Sequence, residues 1–242
     1  MIDKNNLKDV LRFLDFEENG DIFIQRYDND AYLKVDFHKK ELIYPEDRGL
    51  NINERQTCNF TQNENFVVFE CVHRLLAQGY KPEHIELEPK WQVGHGASGG
   101  RADVLIKDNQ GDTLLIIECK TAGNELTKAW SRTLQDGGQL FSYVKQTSTT
   151  QFICLYASNW IDDQVKPDYY LISLNDNERL INELNEISDI PVLTYADSKL
   201  RAVEDIFNTW KDTYQRDYTT RGLFESDIQA YHIGKKTTHW MI

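Results

Sequence analysis

Asp103, Glu118 and Lys120 are the residues whose types and spacing point to chemistry. They lie in residues 101–120, RADVLIKDNQGDTLLIIECK, where two apolar runs, ADVLI and TLLIIE, flank a polar loop from Lys107 to Asp112. Short β-rich runs joined by a loop of Gly, Asp and Asn predict an antiparallel hairpin. Side chains alternate along a strand, so Ile116, Glu118 and Lys120 share one face and Ile117 and Cys119 the other. In the first run Asp103 shares a face with Leu105. A loop closing near 106 and 113 sets Asp103 across from the 116–118 region, and cross-strand partners lie within about 5–8 Å. Two carboxylates and an ammonium then converge on one patch.

An apolar strand has no structural need for Asp, Glu and Lys on one face, and buried charges are costly unless paired or bound to a metal. Two hard carboxylates suit Mg²⁺, with the Cys119 carbonyl as a third ligand. Such an ion would polarise a phosphate oxygen and generate hydroxide at neutral pH. Lys120 would hold the attacking water or offset charge developing on the phosphorane. The plainer alternative is an edge strand whose outward polar face carries an Asp/Glu–Lys salt bridge. Spacing alone does not separate the two.

Asp103, then Glu118-Cys119-Lys120 at the end of a hydrophobic strand, resembles the PD-(D/E)xK signature of the restriction-endonuclease-like nucleases, with Gly-Gly-Arg-Ala-Asp in place of the literal Pro-Asp. Downstream, GGQLFSY sets Gln139 and Tyr143 four apart, on one face of a helix. That pair resembles the Q-x-x-x-Y motif of RecB-type nucleases and of the N-terminal nuclease of type I restriction enzymes. Upstream, NENFVVFECVHRLLAQGYKPEHIELEPKWQVG resembles the opening of the type I group: an acidic helix start, a Gly-Tyr after the helix, then an Ile-x-x-Glu strand. The likeness covers about residues 61–160, with four elements in the family's order.

The resemblance implies an α/β, restriction-endonuclease-like core with a mixed central sheet flanked by helices. It implies a Mg²⁺-dependent DNA endonuclease domain of a bacterial restriction–modification enzyme, with Mn²⁺ able to substitute. Asp103, Glu118 and the Cys119 carbonyl would bind the metal, Glu64 at the helix start would extend its shell, and Lys120 would orient water. Gln139 and Tyr143 would support the site. Double-stranded DNA is the implied substrate. Methyltransferase, specificity and motor regions would lie on the same longer chain or in partner subunits. Two rivals stay open: a catalytically idle nuclease-fold DNA-binding or assembly module, and a RecB-like repair nuclease.

The elements that position these residues follow from pattern. The 242-residue chain predicts one good core with extensions: 1–60 a helix plus a small antiparallel β extension, 61–160 the nuclease core, 161–212 a strand and helices packing on it, 213–242 a linker or the start of a following region. In the first part, 4–16 reads as an amphipathic helix, and DIFIQRY, AYLKVDF and ELIYP as strands. From Gln62 to Gln78 the helical rhythm is strong and Gly79 stops it. Glu64 also suits the positive helix start, and Glu70 is the alternative acid. Residues 85–93 predict a strand with Glu86 and Glu88 on one face; the type I nucleases carry a glutamate in the corresponding strand, and an exposed strand face explains the pair equally well.

Gly94 to Gly100 reads as a loop carrying His95, a candidate DNA contact. Lys128, Arg132 and Lys145, in two helical pieces after Lys120, are candidate phosphate contacts. QFICLYASNW and YYLISL predict strands, and ERLINELNEI and LRAVEDIFNTWKDTY helices. RGLFESDIQAYHIG resembles the junction ahead of an adenine-methyltransferase region, which predicts the front of a longer protein. The net charge of −12 is awkward for a DNA enzyme and asks for basic groups near the site or a grip supplied elsewhere. Cys58, Cys71, Cys119 and Cys154 lack C-x-x-C spacing and read as reduced thiols of a cytoplasmic protein. No run of 18 apolar residues predicts a membrane span.

Overall fold

The aliphatic runs of residues 104–106 and 113–117 have no polar alternation, so they suit strands covered on both faces. The computed structural model, which describes residues 1–28, 30–90, 101–136, 143, 147 and 149–174, puts them at the centre of a six-stranded mixed sheet. Ten strands and three helices are described, numbered along the chain. Strands β7 (Val104–Lys107) and β8 (Thr113–Cys119) form the antiparallel hairpin, pairing Val104 with Ile117 and Ile106 with Leu115. The Asp108 carboxylate shapes the loop by accepting from the Gln110 and Asp112 amides at 2.9 Å each. Gly111, at φ +86°, completes the turn in the left-handed region.

The sheet order is β10-β9-β8-β7-β6-β5. β9 (Phe152–Ile161) lies parallel to β8, reached by the crossover that carries α3 (Asn124–Asp136). β10 (Gln164–Ser173) returns antiparallel to β9. On the other side β6 (Ile85–Leu87) pairs antiparallel with β7 and parallel with β5 (Asn51–Ile52). β8 is therefore an inner strand, buried along its whole length, which rules out the edge-strand alternative. Its two faces join different apolar layers. Leu115, Ile117 and Cys119 meet Phe69, Cys71 and Tyr156 on one side. Ile116 meets Leu105, Leu155 and Leu126 of α3 on the other.

Helix α2 (Glu64–Ala77) is buried almost all round, from Asn65 through Val72, the pattern of a core helix rather than a surface one. It packs between the six-stranded sheet and the N-terminal part. There α1 (Leu7–Phe13) buries Leu7, Val10 and Leu11 beside a four-stranded antiparallel meander: β1 (Glu17–Asn19), β2 (Ile22–Arg26), β3 (Tyr32–Asp36) and β4 (Glu41–Ile43). Phe16 and Tyr44 meet Phe69, and Phe60 meets Phe66, with ring centroids 5.2–5.9 Å apart. One apolar cluster thus runs from Ile2 to Leu171. Glu70 is turned away from the carboxylate patch. It accepts from the Tyr156 hydroxyl at 2.6 Å and pairs with Arg74 at 3.1 Å.

All four cysteines are buried free thiols. Among the described residues no helix is long and apolar enough to cross a membrane. The predicted helices beyond residue 174, the loop 94–100 and the helical piece carrying Gln139 and Lys145 lie outside the described residues.

Candidate active site

Three neighbouring strands set three carboxylates in one row. Val104 pairs with Ile117, which brings Asp103 opposite Glu118. Leu87 pairs with Val104, and the Glu88 amide donates to the Asp103 carbonyl at 3.0 Å, which brings Glu88 opposite Asp103 on the other side. Opposed residues in a ladder share a face. The patch expected from the sequence is therefore present, one residue wider than expected.

Each acid is held differently. Asp103 is half-buried, and its Oδ2 accepts from the Cys119 amide at 2.7 Å. Glu118 is 3 % exposed; its Oε1 takes a bond from Lys120 Nζ at 2.6 Å, and its Oε2 lies 2.8 Å from the Tyr143 hydroxyl. That hydroxyl is also 2.8 Å from the Arg101 carbonyl oxygen, so its single proton is shared between two acceptors. Lys120 Nζ further donates to the Cys119 carbonyl at 2.8 Å and pairs with Glu64 Oε2 at 3.5 Å. Of the two acids in α2, Glu64 is the one that reaches the site.

The electrostatics follow from this packing. Burial, and then the Glu118 charge, push the Asp103 carboxyl well above the usual carboxylate range. Burial raises Glu118 too, against the pull of Lys120. For Lys120 burial favours the neutral amine, yet Glu118, Glu64 and Asp103 together outweigh it and hold the ammonium above its ordinary value. Two carboxylates that resist ionising side by side are a pair a dication would relieve. The oxygens of Asp103, Glu118 and the Cys119 carbonyl form a hard donor set of the kind Mg²⁺ prefers. Among the described residues no three His, Cys, Asp or Glu side chains converge on one point, so the main-chain oxygen matters to that set. Ion and ammonium would compete for Glu118 Oε1 and the Cys119 oxygen.

No protein-family model matches the chain, and no curated protein matches it.

A cleft of about 400 Å³ opens over the row, walled by Glu64, Asn65, Glu88, Arg101, Gln56 and Thr57. The last two come from the N-terminal part, in which the sequence shows no constellation. Thr57 bonds Glu88 Oε1 through its amide at 2.6 Å and its hydroxyl at 2.8 Å. Glu88 is 1 % exposed, which corrects its reading as part of an exposed strand face: β6 ends at Leu87, and Glu88 turns inward at φ +52°. Arg101 bonds Gln56 Oε1 at 2.5 Å and is ion-paired with Glu54. No motif marks Gln56 or Thr57; the pairing of β5 with β6 and the bond from Asn65 to the Gln56 carbonyl bring their loop to the cleft.

On the other side of Lys120 lies a smaller hollow of about 210 Å³, bounded by Glu118, Leu155 and α3 residues Glu125, Lys128 and Arg132. Lys128 and Arg132 stand one helical turn apart on the exposed face of α3, and Lys128 pairs with Glu125 at 3.1 Å. They are brought to the site. Gln139, His95 and Lys145 lie outside the described residues.

Proposed function

We propose that this chain is a restriction-endonuclease-like nuclease: a Mg²⁺-dependent DNA endonuclease domain of a bacterial restriction–modification enzyme, acting in the cytoplasm. The observation that carries the reading is Asp103 facing Glu118 across adjacent inner strands, with the Lys120 ammonium bonded to Glu118 and the Cys119 carbonyl. The order of helix, three antiparallel strands, helix and parallel strand from α2 to β9 supports the finer fold.

Asp103, Glu118 and the Cys119 carbonyl would hold the ion, with Glu64 at its margin. The ion, when bound, would supply Lewis-acid polarisation of a phosphate oxygen and a lowered pKa for water. The other tasks fall to side chains. Lys120, protonated at neutral pH, cannot serve as the base; it orients the water and offsets charge growing on the phosphorus oxygens. The Cys119 amide fixes the Asp103 carboxylate, and Tyr143 fixes Glu118. Lys128 and Arg132 offer two phosphate contacts beside the site. Methylation, target recognition and translocation would belong to other regions or subunits.

The test is cleavage of supercoiled plasmid with Mg²⁺ or Mn²⁺ by wild type, Asp103→Asn and Lys120→Met, each first shown to unfold cooperatively. Nicking or linearisation by wild type alone is expected. Variants that cut as fast as wild type would place the chemistry elsewhere. The net charge of −12 opposes a grip on phosphates and so favours a second reading, an idle nuclease-fold assembly module. That reading takes over if wild type binds the cation but never cuts DNA.

A further inference from the structure

Glu54, in the loop between β5 and α2, presents its carboxylate to three donors beside the cleft that Arg101 and Gln56 line. Oε1 pairs with Lys90 Nζ at 3.5 Å, while Oε2 is ion-paired with Arg101 and takes a bond from Gln56 Nε2 at 3.3 Å. Lys90 follows Glu88 by two residues and Arg101 precedes Asp103 by two, so the antiparallel pairing of β6 with β7 brings both cations to one end of the sheet. Gln56 is set by its main chain, whose carbonyl oxygen accepts from Asn59 Nδ2 at 3.0 Å and Asn65 Nδ2 at 2.9 Å. Its side-chain oxygen takes a further bond from Arg101 at 2.5 Å. Two cations and an amide N–H around one pair of oxygens make a cradle for an anion with two free oxygens, and a phosphodiester is such an anion.

The present occupant is replaceable. The Glu54 and Arg101 side chains are each about a third exposed and Lys90 more so, and ion pairs in such positions are weak because water and salt compete for them. The charge balance of the cleft favours an exchange. Glu64, Glu88, Asp103 and Glu118 line it against Lys120 and Arg101, and Lys120 is taken up by Glu118 and Glu64. A DNA strand entering there meets repulsion unless Arg101 and Lys90 are released to it. Arg101 is also tied to the acids through its main chain, since its carbonyl oxygen lies 2.8 Å from the same Tyr143 hydroxyl that reaches Glu118.

Resting on the nuclease reading for the identity of the ligand, we propose that Lys90, Arg101 and Gln56 form a binding site for a DNA phosphate flanking the one that is cut, and that Glu54 fills this site until the phosphate displaces it. Gln56 is the positioning residue: its Oε1 keeps the guanidinium at the cleft while the anions exchange. The N-terminal part thereby takes a role in substrate binding, with its own carboxylate standing in for the phosphate.

A double-mutant cycle on DNA affinity tests this. Binding of the full chain to a short fluorescein-labelled DNA duplex is followed by anisotropy in EDTA, where no cleavage interferes. Glu54→Gln is expected to tighten binding about three- to fivefold, the upper range for an exposed ion pair. Arg101→Gln and Lys90→Gln are each expected to loosen it and to reduce the salt dependence by about one phosphate contact. The cycle separates a plug from a general like-charge effect: with both cations replaced, Glu54→Gln is expected to gain less than about 1.5-fold. The same gain in both backgrounds, a salt dependence unchanged by the cation variants, or no duplex bound by wild type and Glu54→Gln alike would overturn the proposal. Plasmid cleavage that depends on Lys120 would in that case leave the nuclease reading standing. The expected cycle in a chain that never cuts would keep the phosphate site and remove the nuclease.

Discussion

Replacing Lys120 with Met should destabilise the protein in a way that reports on the site itself. The ammonium lies 2.6 Å from Glu118 Oε1, 2.8 Å from the Cys119 oxygen and 3.5 Å from Glu64 Oε2. Without it Glu118, only 3 % exposed, keeps the Tyr143 hydroxyl as its remaining bond. Stranding one member of a buried ion pair costs about 3–5 kcal/mol. The Lys120 side chain is 17 % exposed, so the lower end, about 3 kcal/mol, is expected. At about 2–4 °C per kcal/mol for a chain of this size, the melting temperature should fall by about 6–12 °C.

The sign of the pH dependence sharpens the test. A Glu118 carboxyl whose folded pKa lies above its unfolded one costs stability at high pH, and the cost fades as pH falls towards the unfolded value. Losing Lys120 raises the folded pKa further, so the deficit should be greatest near pH 8 and smaller near pH 5. Urea unfolding of both proteins at the two pH values measures it. A deficit under about 1 kcal/mol at both would mean that Lys120 is not the counter-charge of a buried carboxylate, and the electrostatic account of the site would be wrong.

Two other perturbations probe the surroundings. Tyr143→Phe removes the neutral donor to Glu118 Oε2 and is expected to cost about 1–3 kcal/mol in the same urea assay; no change would mean the hydroxyl serves only the Arg101 carbonyl. His73 is bonded to the Tyr27 hydroxyl at 2.8 Å, and burial pulls its pKa down to about 4. Below the unfolded value near 6.5 only the unfolded chain takes up that proton, so stability should drop by up to about 3 kcal/mol between pH 6.5 and 4. Stability that falls equally steeply in His73→Gln over that range would assign the acid limb to other groups.

Much of the centre could be read from the sequence. The 101–120 hairpin and its facing carboxylates follow from period-2 alternation and one turn, both local signals, whereas the reach of Glu64 is implied by the family resemblance alone. The strand β1, Glu-Glu-Asn with every residue exposed, carries no hydrophobic pattern and escaped detection. Glu88, the glutamate of the Ile-x-x-Glu likeness, is ambiguous in the sequence for a subtler reason. Alternation groups it with Glu86 on a face that fits solvent as well as a site, and only the pairing of β6 with β7 sets Glu88 opposite Asp103. Its partner Thr57 lies 31 positions away in sequence, and no window of local pattern connects them. Glu70 illustrates the converse: an acid in an apolar helix that serves Arg74 and Tyr156 rather than chemistry.

The parallel pairing of β8 with β9 has a consequence for the chain while it is being made. β8 emerges with both faces aliphatic and with its β7 edge soon paired, but its other edge must wait for Phe152–Ile161. At about 5–20 residues per second, the roughly 40 residues from Lys120 to Ile161 take about 2–8 s to synthesise. For those seconds TLLII, residues 113–117, presents an open, uncharged edge, the kind of segment that templates intermolecular pairing. Glu118 and Lys120 at its end break that run with charge. The residues proposed for chemistry in the finished protein therefore also act as gatekeepers during its birth.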